Sequence, residues 1–125
     1  MLREKIKQLS EQYFEEYRSI RHHLHAHPEL SYKEYNTSKF VRDHLTQLGI
    51  PFTVMAETGV IGVIEGKRSD RVIALRADMD ALPIHETNSL SHCSVHEGVM
   101  HACGHDGHTA MLMAAAQYIS QEVEF

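Results

Sequence analysis

The sequence predicts an α/β fold, and three observations carry that expectation. Apolar side chains recur at helical spacing through the first two dozen positions. After Pro51 the pattern shortens to runs rich in β-branched residues. From Thr109 a helical pattern returns. A chain of 125 residues has room for one domain of ordinary size, able to bury a core without staples. The hydrophobic content of 42% and charged content of 23% belong to a soluble globular protein rather than a disordered or membrane one.

The first helix is expected over residues 2 to 25, where Ile6, Leu9, Tyr13, Tyr17, Ile20 and Leu24 share one face and charged residues fill the gaps. Glu15 and Glu16 lie within it and read as a solvated face. Pro28 ends it, because the residue before a proline is pushed out of the α region. A second helix is expected from about Tyr32 to Leu48, with Phe40, Val41, Leu45 and Leu48 inward, Gly49 as its C-terminal cap and Pro51 forbidding continuation. Three short strands follow: 52–55, 60–64 and 71–76. Thr58-Gly59 and the stretch Gly66-Lys67-Arg68-Ser69-Asp70 separate them as turns. The first two pair as a hairpin or meander. The third is apolar at nearly every position, as a strand buried on both faces should be. It runs into Asp78 and Asp80, and the end of a buried strand is where α/β folds place their chemistry. Residues 84 to 100 are polar and irregular, long enough for a functional loop. The last helix spans Thr109 to Val123, with Leu112, Ala115, Ala116, Ile119 and Val123 on one face.

Net charge is -5, which points neither to nucleic acid nor to an anionic membrane surface. No apolar run approaches the length that spans a bilayer. The N-terminal residues are charged throughout and lack the apolar stretch of a signal peptide. Two cysteines, Cys93 and Cys103, make no disulfide framework. A reducing cytoplasm is the expected compartment, and there a thiol remains available as a metal ligand.

Residues 100 to 108, Met-His-Ala-Cys-Gly-His-Asp-Gly-His, place a thiol, three imidazoles and a carboxylate within nine positions. Thiolate and neutral imidazole are donors that zinc and its first-row neighbours prefer. Cys103 and His105 can face one ion if the backbone bends between them, and Gly104 permits the bend. Asp106 and Thr109 are candidate N-caps for the helix that follows. On spacing alone, a metal half-site and a buried cysteine beside a histidine remain open. Asp78 and Asp80 project to the same face of a strand. There they can orient a ligand histidine by accepting its second N–H, or stand as a solvated pair. The cluster His22, His23, His25 and His27 reads as a structural helix end rather than one designed site.

Four stretches together resemble a known family. Residues 21–31 (Arg-His-His-Leu-His-Ala-His-Pro-Glu-Leu-Ser), 48–50 (Leu-Gly-Ile), 75–84 (Leu-Arg-Ala-Asp-Met-Asp-Ala-Leu-Pro-Ile) and 100–110 are similar, in order and spacing, to the opening third of M20-type metallopeptidases and amidohydrolases. The likeness is to the branch of N-acyl-amino-acid amidohydrolases, hippurate hydrolases and auxin-conjugate hydrolases. It implies an α/β/α zinc-peptidase-like catalytic domain, of which residues 1 to 125 supply two N-terminal helices, a small mixed sheet and the helix after the metal loop. It also implies a centre of two divalent ions, zinc or manganese, that cleaves the amide bond of a small N-acyl amino acid. Cys103 and His105 become metal ligands, Asp80 the catalytic, ligand-orienting carboxylate, and Asp78 and Asp106 residues of the rim. The family's adjacent glutamate pair, its later histidine ligands and its lid and dimerisation domain have no counterpart in these residues. Homodimers are therefore expected only of the full-length family form. The resemblance leaves two expectations: a truncated hydrolase inactive alone, or a freestanding metal-binding or structural remnant without catalysis.

Overall fold

The computed structural model describes residues 1–68 and 70–125. It contains four helices and a two-stranded sheet: α1 (Leu2–Gln12), α2 (Phe14–Ala26), α3 (Tyr35–Gln47), β1 (Phe52–Met55), β2 (Gly59–Gly62) and α4 (His105–Glu122). No helix is long and apolar enough to cross a membrane among the described residues. The α/β class stands, and the departures from expectation each have a physical cause.

The single N-terminal helix is broken at Tyr13, whose φ of -99° and ψ of 6° lie outside the helical well. Both α1 and α2 touch α4, and the Tyr13 ring lies 6.0 Å from that of Tyr118. Only Leu9 of α1 is buried. Ile6, placed inward by its spacing, is 43% exposed.

α3 starts three residues later than its pattern suggests. Tyr32 holds a left-handed φ of 64° and turns the chain before the helix can begin. The Glu29 side chain then accepts from the amides of Asn36 and Thr37 and from the Thr37 hydroxyl. A carboxylate over the first turn satisfies free N–H groups and meets the positive end of the helix dipole. At the far end Gly49 takes φ 71°, and the Ile50 amide returns to the Leu45 carbonyl at 2.9 Å.

β1 and β2 form the expected hairpin, antiparallel, with Phe52 opposite Gly62 and Met55 opposite Gly59. The third strand is not formed. Residues 71–76 carry no regular structure, and Val72 and Ile73 are 93% and 87% exposed. A central strand exists only through neighbours that bond its backbone and cover its faces, and none lies beside it among the described residues. Ser69, within the turn expected ahead of it, lies outside the described residues. Order resumes at Asp78, whose carbonyl accepts from the Thr109 hydroxyl at 2.9 Å. Beyond it, single bridges join Ala81 to Leu30 in parallel and Leu82 to Met100 antiparallel.

The core is the seam between α2 and α4. Tyr17, Met113 and Ala114 are buried there, flanked by Tyr13, Ile20, Phe40, Val41 and Tyr118. α4 turns a different face inward from the one its apolar residues mark. The buried stripe is Asp106, Thr109, Ala110, Met113, Ala114 and Gln117, whereas Leu112, Ala115, Ala116, Ile119 and Val123 are only half-buried. Three polar residues enter the stripe because each finds a partner: Asp106 bonds His25, Thr109 bonds the Asp78 carbonyl, and Gln117 bonds the Tyr17 hydroxyl. Small residues at 110 and 114 let α2 approach.

Candidate metal centre

Gly104 makes the bend that the sequence required. Its φ of 82° is left-handed, and it caps the N-terminus of α4 with His105 as the first helical residue. Neither Asp106 nor Thr109 serves as the N-cap; both are already inside the helix and bond elsewhere.

His105 Nδ1 sits 2.9 Å from the backbone oxygen of Asp80 and 2.9 Å from its Oδ1. Both are acceptors, so the Nδ1–H donates to them, and the lone pair is left on Nε2. Nε2 points at Asp78, 3.5 Å from Oδ2. One turn on, His108 donates through Nδ1 to Asp78 Oδ1 at 2.8 Å. Residues three apart on a helix share a face, and the two imidazoles stack with centroids 5.5 Å apart. Asp78, His105 and His108 thus bring three donor atoms within 4.8 Å of one another. The hydrogen bond from His108 holds the Asp78 carboxyl below its ordinary range; burial opposes this, and the nearby His105 and Arg76 assist. A carboxylate kept ionised beside two imidazoles is a donor set that suits a divalent transition ion.

The expected residues divide between two places. Asp78, Asp80 and His105 meet in one cluster. Cys103 stands beside them in sequence, exposed, and its thiol is outside the three-donor group. Asp106 points the other way, into the α2 seam, where Oδ2 accepts from His25 Nδ1 at 2.8 Å and forms an ion pair with Arg21 Nε at 3.3 Å. His25 in turn reaches Glu86 Oε2 through Nε2 at 2.9 Å. His101 is buried at 4% exposure, and neither of its ring nitrogens nor Asp106 Oδ1 meets a protein partner among the described residues. Burial pushes the His101 imidazole down, so the ring is neutral.

Sequence reasoning missed His108, His25 and Glu86. For His108 the signal was present, as a donor at i+3 from His105 on the same helix. For His25 and Glu86 it was not, because 61 positions separate them and only the fold makes them neighbours. Glu15 and Glu16 are engaged elsewhere. Glu15 pairs with Arg18, and Glu16 lines an open groove of about 450 Å³ with Phe40, Asp43 and His44. That groove lies between α2 and α3 and contains none of the three clustered donors. The donor geometry, not the concavity, locates the centre.

Known proteins are similar to this chain in sequence and in shape. The family described as Peptidase family M20/M25/M40 matches residues 74–125, which include the whole cluster. An N-acyl-L-amino acid amidohydrolase of Geobacillus stearothermophilus is 47% identical over 122 residues, covering 97% of this chain and 33% of that protein. A hippurate hydrolase of Campylobacter jejuni is 46% identical over 108 residues, 86% of this chain and 28% of its own. In structure, the chain is similar to the YxeP protein of Bacillus subtilis, described as a dinuclear metal-binding peptidase from the M20 family. The TM-score is 0.85 at 42% identity, over 89% of this chain and 32% of that one. The chain spans about a third of the length of these relatives. By sequence and by fold, it is similar to M20 peptidases over about a third of their length.

Proposed function

We propose that this chain carries the ion-binding end of a metal-dependent amidohydrolase that cleaves the amide bond of small N-acyl amino acids. The observation that carries the reading is the tautomer of His105: Nδ1–H is consumed by Asp80, so Nε2 faces Asp78 and His108 as a lone pair. A ligand histidine oriented by a carboxylate is the arrangement that fixes ring position and raises ligand basicity. The reading is supported by the dinuclear description of YxeP and by the names of the two amidohydrolase relatives.

In this reading His105 and Cys103 are ligands on either side of the Gly104 bend, and Asp80 orients His105. Asp78 and His108 complete the donor set, and Asp106 supports the loop from behind. The bound divalent ions would polarise the acyl carbonyl and acidify a water. Thiolate and imidazole favour zinc over manganese as the preferred ion, and a reducing cytoplasm keeps the Cys103 thiol available. No glutamate bonds to the Asp78–His105–His108 cluster among the described residues. The 125-residue chain is therefore expected to bind ions without turning over substrate.

Elemental analysis after dialysis against zinc or manganese tests the ligands. The wild-type chain should retain zinc, and Cys103→Ser combined with His105→Ala should abolish retention. Equal stoichiometry in that double variant would remove the assignment. Metal-dependent release of amino acid from hippurate or N-acetyl amino acids by the pure chain would show that its own residues supply a base.

A further inference from the structure

The best-bonded buried charges of this chain lie outside the three-donor cluster. His25, Asp106 and Glu86 come from α2, from the first turn of α4 and from the long loop, and their side chains are 7%, 1% and 3% exposed. His25 spans the two carboxylates, Nδ1 to Asp106 Oδ2 at 2.8 Å and Nε2 to Glu86 Oε2 at 2.9 Å. Ionised carboxylates only accept, so both ring nitrogens carry hydrogen and the ring is a cation. With Arg21 on Asp106, two positive groups face two negative ones, and the buried cluster is neutral as a unit.

Glu86 extends the connection into the loop. The same carboxylate accepts from the Ser94 amide at 2.7 Å and from Asn88 Nδ2 at 2.8 Å, closing residues 86–94 around itself. The Val95 amide bonds the Ala26 carbonyl at 2.9 Å, and His92 stacks on His22 with centroids 3.8 Å apart. The loop is thus wound onto the C-terminal end of α2. His25 carries that attachment across to Asp106, the residue next to His105.

We propose that His25 is a positioning residue: by bridging Glu86 to Asp106 it ties the loop of residues 84–100 to the helix that presents His105 and His108, so that loop order and ion affinity are coupled. The coupling rests on the metal reading of the Asp78–His105–His108 cluster; the clamp itself does not. Removing the ring leaves two buried carboxylates without the cation between them, and they repel. Glu86 then swings toward water and the loop loses its closure, while Asp106 keeps only its ion pair with Arg21 among the described side chains.

Cobalt(II) titration and amide hydrogen exchange on the whole 125-residue chain test this. His25→Leu should weaken cobalt affinity about 10- to 100-fold, the range for losing a partner that supports a metal ligand. Its visible spectrum should shift, and exchange over residues 86–95 should quicken about tenfold or more. Glu86→Gln keeps an acceptor for the Ser94 amide and should fall between His25→Leu and wild type. His44→Leu, which removes a buried histidine of α3 that bonds Tyr17 of α2, should lower stability while leaving both readouts unchanged.

Faster loop exchange with unchanged cobalt affinity would overturn the coupling and leave a loop anchor only. Unchanged exchange in His25→Leu would overturn the clamp. If the wild-type chain takes up no cobalt, the metal reading falls and the coupling with it, whereas the clamp is still decided by exchange. If His25→Leu does not fold, Glu86→Gln supplies both measurements, and wild-type behaviour there would overturn the proposal.

Discussion

The two ends of the α2–α4 seam are held in different ways. At one end Tyr17 packs on Met113 and Ala114, and its hydroxyl joins His44 Nε2 at 3.0 Å and Gln117 Oε1. That contact is apolar area plus hydrogen bonds among neutral groups: burial pushes the His44 imidazole down and the Tyr17 phenol far up, so neither is charged near neutral pH. At the other end His25, Asp106, Glu86 and Arg21 meet as charges. One helix pair therefore has a neutral end that supplies stability and a charged end beside the candidate centre that supplies position. A buried ionic cluster adds little net stability against a well-packed apolar one, but breaking it is costly.

The largest expected effect breaks the neutral end. Met113→Ala opens a cavity in the seam and should cost about 2–5 kcal/mol, read as a lowered urea midpoint with unchanged slope. At a temperature where the variant remains folded, zinc stoichiometry should match wild type. Loss of zinc from a folded Met113→Ala chain would show that the two ends are not separable.

The second test uses pH to address the charged end. Burial pushes His25 down, but its bonds to Glu86 and Asp106 outweigh that and raise it above its ordinary value of 6.5. Its contribution is therefore complete below 6.5 and is lost as pH rises through the raised folded value. Burial pushes Glu86 up, but its bonds to Asn88, His25 and the Ser94 amide outweigh that and hold it at about 2, below its ordinary 4.5. Its contribution is complete above 4.5 and is lost as pH falls through about 2. The clamp is therefore at full strength between pH 4.5 and 6.5. Asp106, Glu86, Arg21, His22, His92 and His101 surround His25, and the lowered His23, His44 and His101 press stability in the opposite direction. The discriminating quantity is a difference. In chelator, the gap in melting temperature between wild type and His25→Gln should be wider at pH 5.5 than at pH 9. An equal gap would mean that the ring is not charged in the folded chain.

The smallest effect falls on the bend itself. A Cβ at Gly104 would meet nothing within 4 Å, so Gly104→Ala adds no clash and only the strain of a left-handed φ of 82°. That strain amounts to about 1–2 kcal/mol. Thermal melting should record a small loss, and zinc affinity should fall if relaxation of the bend separates Cys103 from His105. Undiminished stability would mean that the bend is not held in the left-handed region.

The parts of this molecule that could be read in one dimension were those with local causes. Helical spacing placed α2 and α3, Gly49 and Gly104 marked positions of positive φ, and the β-branched runs around Thr58-Gly59 formed a hairpin. His105 Nδ1 lies 2.9 Å from Asp80 Oδ1, a contact between residues 25 positions apart. The break at Tyr13 was invisible, because it serves the packing of α1 against a helix about a hundred positions away. The face of α4 was misplaced because periodicity counts apolar residues, and three of the buried ones are polar with distant partners. Residues 71–76 show the converse: apolar, β-branched composition describes a strand that needs neighbours, and it cannot supply them.

The sequence by itself determined the candidate residues Asp78 and His105, the bend at Gly104, and the likeness to M20 peptidases. Those are properties of residue type and short spacing, set by covalent geometry and side-chain chemistry. The tertiary structure alone decided that Asp106 faces α2 rather than the cluster, that His108 joins Asp78, and that His25 is a buried cation between two carboxylates. A buried charge is tolerated only where its partners converge, and which residues converge from 61 and 81 positions away is fixed by packing, not by spacing.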